Sequence, residues 1–138
     1  DGVDDTKAIQ SAVERAVLIS EDSLIDKFII GNLEKQVFGA MCGTAIIKEK
    51  KALGIIETFT AASAIEAADA AAKAAVVSLI EVRVARGMAG KCFVSMTGDV
   101  ADVTAAVEAG SKIAAKTGVL INTEVIASPH EELWEAVL

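Results

Sequence analysis

Two stretches of this 138-residue chain match each other at a fixed spacing. Residues 24–41, LIDKFIIGNLEKQVFGAM, align with residues 120–137, LINTEVIASPHEELWEAV. Leu24 pairs with Leu120, Ile25 with Ile121, Ile30 with Ile126, Val37 with Leu133, Phe38 with Trp134 and Ala40 with Ala136, always 96 positions apart. A strand, turn and helix that recur in the same order constrain the chain more than any single motif, because a repeated unit has to bury the same apolar face each time. Upstream of the two copies, DTKAIQSAVERAV and DVTAAVEAGSKIA share helical character, with the offset shifted by about one residue.

The later copy is the whole one. ALGIIET (52–58) is dense in branched residues and predicts a strand. TAASAIEAADAAAKAA (60–75) is Ala-rich and predicts a helix of high intrinsic propensity. SLIEVRV (78–84) alternates and predicts a second strand, KCFVSMT (91–97) a third. A second helix is predicted from Asp99 to Thr117, with Val100, Val103, Val107 and Ala114 on one face and Gly118 as its left-handed cap. VLINTEVI (119–126) predicts the fourth strand. SPHEELWEAVL predicts a closing helix, with Ser128 as N-cap, Pro129 in the first helical position and Glu131 completing a capping box. The order β-α-β-β-α-β is that of a ferredoxin-like α+β unit.

Residues 1–43 supply only the second half of such a unit, a partial α-β-α copy; 44–51 read as a linker and 52–138 as the complete domain. The first residues, DGVDDTKAIQ, read as the opening turn of a helix with no initiator Met, so the chain reads as the downstream part of something longer. The strand predicted at 24–30 lacks the partners of its own copy and is expected to lie exposed or to be recruited elsewhere.

Composition narrows the function. Hydrophobic residues are 53% and charged residues 24%, the balance of a folded chain. With one Trp, four Phe and no Tyr, the core must come from Ala, Val and Ile, and small side chains let helices approach the sheet closely. A net charge of −7 argues against a general nucleic-acid binder, and no apolar run reaches the roughly 20 residues of a membrane span. Cys42 and Cys92 share no CxxC spacing and suit a reduced, cytosolic setting better than a disulfide framework.

The stretch ARGMAGKCFVSMTGDV (85–100) superficially resembles a phosphate-binding loop. Such a loop needs four residues between its glycines and a helix behind it. Gly87 and Gly90 are two residues apart, and the residues after them read as a strand, so the segment is read as a hairpin connection.

KALGIIET, AIEAADAAAKAA, GDVADVTAAVEAG and VIASPHEELWEAVL resemble, in this order, the bacterial microcompartment shell domain over residues 51–138. With the partial copy ahead of it, the chain is similar to the tandem-domain, trimer-forming type of propanediol-utilisation shells. That resemblance implies a structural shell protein located in the microcompartment wall, which self-associates into a pseudohexameric trimer and tiles with other shell proteins. It implies a central pore for small metabolites, lined by the loop between the second and third strands: Arg86, Gly87, Met88, Ala89, Gly90 and Lys91. Lys91 and Arg86 would then bias the opening towards anions where their charges face it. Lys73 matches a lysine used at tile edges. Ser128 stands where many members carry an edge arginine, and His130 comes two residues later as a packing or interface residue.

Some tandem members hold an iron–sulfur cluster through the pore loop of the first domain. That loop is not in residues 1–43, and Met88 occupies the aligned place in the second, so no cofactor and no metal site are expected from this chain. Cys92 reads as core filler, Cys42 as a helix-end residue, and Glu66 and Asp69 as a solvated face. His130 has no nucleophile or acid placed beside it by any motif, and no catalytic residues are expected. The competing reading is a ferredoxin-like small-molecule-binding regulatory protein, for which the long exposed loop or ligand signature is missing.

Overall fold

The computed structural model describes residues 2–84 and 90–138. Two compact units divide the chain, residues 1–32 and 33–138.

The first unit is helix α1 (Gly2–Ser20), one 3-10 turn (Glu21–Ser23) and an extended tail. Ser20 closes the helix by donating its hydroxyl to the Ala16 carbonyl. The strand predicted at 24–30 does not form: these residues have no regular secondary structure, and Leu24, Ile25 and Ile29 are exposed. The reason is physical. A strand is stabilised by cross-strand pairs, and isolated extended chain has none.

The second unit carries helix α2 (Lys35–Met41), then β1 (Ala52–Thr58), α3 (Ala61–Ala74), β2 (Val77–Val84), β3 (Cys92–Gly98), α4 (Val100–Lys116), β4 (Leu120–Ile126) and α5 (Glu131–Val137). From β1 to β4 this is the predicted β-α-β-β-α-β order. The four strands form one antiparallel sheet in the order β2-β3-β1-β4. The predicted strand limits hold to within a residue at each end. Thr60 caps α3 by accepting a hydrogen bond from the Ser63 amide, and Gly118 ends α4 with a φ of +70°.

Residues 52, 54 and 56 of β1 point to α3 and α4, and this side holds the main core. Ile56, Val82, Val94, Met96 and Val103 pack there among Ala64, Ala67, Ala68, Ala71 and Ala106. Small side chains are required by the spacing. A methyl group placed on Gly54 would come within 2.7 Å of Val103 and 2.8 Å of Val107. One on Gly110 would reach 2.6 Å from Ile56 and 2.7 Å from the Ala67 carbonyl oxygen. Val100, expected on the buried face of α4, is exposed in its first turn.

The opposite face is only partly covered. A register shift between Leu79 and Glu81 places an extra residue in β2. The unpaired residue is Ile80, so Ile80 and Glu81 fall in succession on the side that also holds Arg83, and Ile80 joins Leu53 and Trp134 there in a second, smaller cluster. Helix α5 lies over that end of the sheet through Trp134.

Replacing Gly110 by Ala is expected to destabilise the protein. Overpacking costs about 1–3 kcal/mol and the clash with a backbone oxygen cannot relax by side-chain rotation. The helix propensity gained, about 1 kcal/mol, is smaller. A lower urea midpoint at unchanged slope checks this, and a midpoint raised by the substitution contradicts it.

Candidate functional site

The residues singled out in the sequence fall at two opposite ends of the sheet. Ala52, Val77, Gly98 and Ile126 mark one end by their pairing, Thr58, Val84, Cys92 and Leu120 the other. Strands of seven residues separate the ends by roughly 20 Å.

The candidate loop joins β2 to β3 at the second end, since Val84 pairs with Cys92 across the hairpin. Arg86, Gly87, Met88 and Ala89 lie outside the described residues. Gly90 is exposed with a φ of +89°, a left-handed conformation open to glycine at little cost. Lys91 is exposed. The chain passes from Lys91 straight into β3, so no helix N-terminus stands behind the loop.

Lys73, Ser128 and His130 belong to the first end. Lys73 sits in the last turn of α3, its ammonium 2.7 Å from the Asp69 carboxylate. Asp69 is no solvated residue. Its side chain is 11% exposed, and it also accepts the backbone N–H of Glu34 at 2.7 Å. Ser128 is exposed and does not cap a helix. Helix α5 begins later than expected, at Glu131, with His130 at the N-cap accepting the Glu132 amide on Nδ1. The predicted capping box is therefore absent. His130 is the extended N-cap residue (ψ 151°), and its ring takes the amide hydrogen bond that a serine cap would have taken two residues earlier. Ser128 and Pro129 line a hollow of about 310 Å³ with Lys50, Lys51, Asp99, Glu131 and Trp134. Ion pairs knit its rim: Lys50 with Glu131 at 2.8 Å, Lys51 with Glu49 at 2.8 Å and with Asp99 at 3.0 Å. The hydrogen bond to Glu49, then that to Asp99, holds the Lys51 ammonium well above its usual range.

Two features were not legible as sites in the sequence. The first is the attachment of α2. Val37 and Ala40 are buried against the main core, and the Gln36 side chain accepts the Leu79 amide at the β2 bulge, 3.1 Å away. The second is a cavity of about 730 Å³ on the face of the sheet that α5 leaves open. Its floor holds Ile55, Glu57, Glu81, Arg83, Phe93, Ser95, Asn122 and Glu124. Arg83 is engaged twice with Glu81, at 2.8 and 3.0 Å, and lies 5.0 Å over the Phe93 ring. Among the described residues the buried Ser95 hydroxyl has no partner. Which part of this face stays uncovered depends on the placement of α5, which no local pattern gives.

Cys92 is buried beneath the sheet beside the carbonyl of Gly90, and Cys42 is exposed. Among the described residues no group of three or more His, Cys, Asp or Glu is placed to hold a metal ion, and no helix is long and apolar enough to cross a membrane.

Comparison with known proteins gives a consistent answer. The BMC domain family model matches residues 52–129. The bacterial microcompartment shell protein PduT of Citrobacter freundii is 37% identical over 134 residues, 97% of this chain and 73% of its own length. The shell protein EutM of Salmonella typhimurium is 44% identical over 85 residues, 62% of this chain and 86% of its own. The crystal structure of a microcompartments protein from Desulfitobacterium hafniense DCB superposes with a TM-score of 0.83 at 44% identity, covering 94% of this chain and 72% of that one.

Asp69→Ala is expected to cost about 1.5–3 kcal/mol, since a buried carboxylate acceptor is lost and the Glu34 amide is left unpaired. Lys73→Ala removes a half-exposed ion pair and should cost about 0–1 kcal/mol. Hydrogen exchange at the Glu34 amide should accelerate in the first variant and stay unchanged in the second.

Proposed function

This chain belongs to the BMC domain family, and we propose that it is a structural subunit of a bacterial microcompartment shell rather than an enzyme. The observation that carries this reading is likeness to shell proteins over nearly the whole chain, together with a sheet of the matching fold. The finer reading comes from the two ends of the sheet. The loop at 86–91 gathers around a shared rotation axis and lines a pore. The end bearing Lys73, Ser128 and His130 meets neighbouring tiles. Residues 1–43 act as part of a first shell domain, 44–51 as a linker and 52–138 as the second domain, the assembly being a pseudohexameric trimer that joins other shell proteins in the wall.

Support for this arrangement is geometric. Ends separated by roughly 20 Å allow one to face an axis and the other a rim, and closure of a ring covers exposed strand edges and apolar surface that would otherwise aggregate. Passage through the pore needs no chemistry from the protein. Selectivity comes from the charges that face it, with Lys91 the candidate among the described residues.

Negative-stain electron microscopy of the purified chain with a single-domain shell protein is expected to show hexagonal particles or sheets. A monomer that binds an effector and forms no tiles would favour the regulatory alternative. In shells loaded with a reporter enzyme, Lys91→Glu is expected to lower the entry of anionic substrates several-fold relative to neutral ones, with the difference shrinking as salt rises. An unchanged ratio at low salt contradicts the assigned position of Lys91 in the pore.

A further inference from the structure

The uncovered part of the sheet face carries a polar arrangement that the shell role does not use. Strand pairing sets its residues in two rows across the sheet. Glu81, Ser95, Ile55 and Glu124 stand side by side in one row, and Arg83, Phe93, Glu57 and Asn122 in the next. All eight line the same cavity of about 730 Å³, a volume within the range of small-molecule sites, roughly 300–1,000 Å³. Ile47 and Val137 line it as well.

Three acceptors in this cavity are unmet. Ser95 is 2% exposed, and among the described residues its hydroxyl has no hydrogen-bond partner. Its place in β3 turns it the same way as Phe93, towards the cavity and away from Val94 and Met96 in the main core. Leaving a buried hydroxyl without a partner is unfavourable, and a bound group that bonds it recovers the loss. Glu57 is half-buried and Glu124 exposed, and among the described residues neither forms an ion pair. Glu81, by contrast, is held by Arg83 through two hydrogen bonds. The charged side chains of the cavity, Glu57, Glu81, Glu124 and Arg83, therefore leave two negative charges uncompensated. Register gives the spacing. Glu57 lies diagonal to both Ser95 and Glu124, and such neighbours on antiparallel strands are about 7–8 Å apart. Their side chains can converge on one small group set between them, with Ile55 as apolar ground beneath it.

We propose that this cavity binds a small organic cation, a primary ammonium group on a short apolar body. An ammonium has three N–H donors and no acceptor, which matches the three acceptors Ser95, Glu57 and Glu124. The two bonds to carboxylates are charge-assisted, and a partly covered site strengthens them relative to bulk water. The body lies against Ile47, Ile55 and Val137. Among the described residues no acidic group is clustered to hold a metal ion, so the hydrocarbon body is part of what is recognised. The site goes beyond the shell role and does not depend on it. Its described lining stands on the strands, on α5 and on residues 43–47, apart from Gly90 and Lys91.

The probe is n-butylammonium, titrated into the full chain at neutral pH and low salt, with amide chemical shifts read by NMR. The expected result is a saturable shift confined to the amides around Ile55, Glu57, Ser95 and Glu124, with a dissociation constant of about 1–10 mM. n-Butanol and butyrate, which lack the positive charge, should give no saturable shift. Glu124→Gln should weaken binding at least about fivefold, and the loss should shrink as salt rises. Ser95→Ala should weaken n-butylammonium several-fold yet leave butyltrimethylammonium unchanged, because the second cation has no N–H to donate. A mere change of packing would weaken both. Unsaturable shifts spread over surface carboxylates such as Glu14 and Glu132 overturn the proposal, and so does equal binding by wild-type and Glu124→Gln chains. A response to n-butanol equal to that of the cation overturns the ammonium assignment, and equal loss of both cations in Ser95→Ala overturns the role of that hydroxyl. Tiling in micrographs is read separately and decides only the shell role.

Discussion

The close approach of α4 to the sheet and to α3 sets the shape of the second unit. Gly110 brings the backbone of α4 so near Ala67 that no side chain fits between, and Gly54 does the same on β1 beneath Val103 and Val107. Dispersion contacts are densest where backbones meet with no intervening side chain, so a core of alanine and valine is sufficient here without large aromatics. The result is a thin slab, one sheet and one layer of helices. Its other face is left for further elements to cover.

That other face is divided by the bulge in β2. The extra residue is Ile80 itself, which faces away from the main core. With it, Leu53, Ile80 and Trp134 meet, and α5 is held at one end of the sheet. The remaining end carries three carboxylates, one of them already paired to Arg83, and a buried hydroxyl with no partner among the described residues. β2 is an edge strand, and the Gln36 side chain accepts its Leu79 amide. β2 thus holds two helices, α5 over its face through Ile80 and α2 at its edge through the Leu79 amide.

The legible and illegible parts of the sequence divide along this line. Strands β1 to β4 and helices α3 and α4 were readable because each has a period of its own, and the ferredoxin-like order came from their succession. The start of α5 was misplaced because Ser128, Pro129 and Glu131 satisfy a local capping pattern, while His130 two residues later can cap as well and does so. Residues 24–30 have strand composition, yet pairing partners decide whether a strand exists. Asp69 looked like one of a pair of surface acids. Its burial comes from the backbone of Glu34, thirty-five residues away, which no local pattern announces.

The loop and edge candidates came from resemblance, and among the described residues Gly90 and Lys91 lie at one end of the sheet and Lys73, Ser128 and His130 at the other. This matters for how a wall subunit can work. A pore residue and an edge residue on one end would compete for the same neighbours. Placed at the two ends of a rigid sheet, each can meet a different partner without either contact disturbing the other. The slab between them transmits position and nothing more. The short helix α5 is held on that slab by Trp134, with Leu133 and Val137 beside it. A helix of seven residues with apolar side chains on both sides is unstable alone. It persists because Trp134 is buried against Leu53 and Ile80 of the sheet.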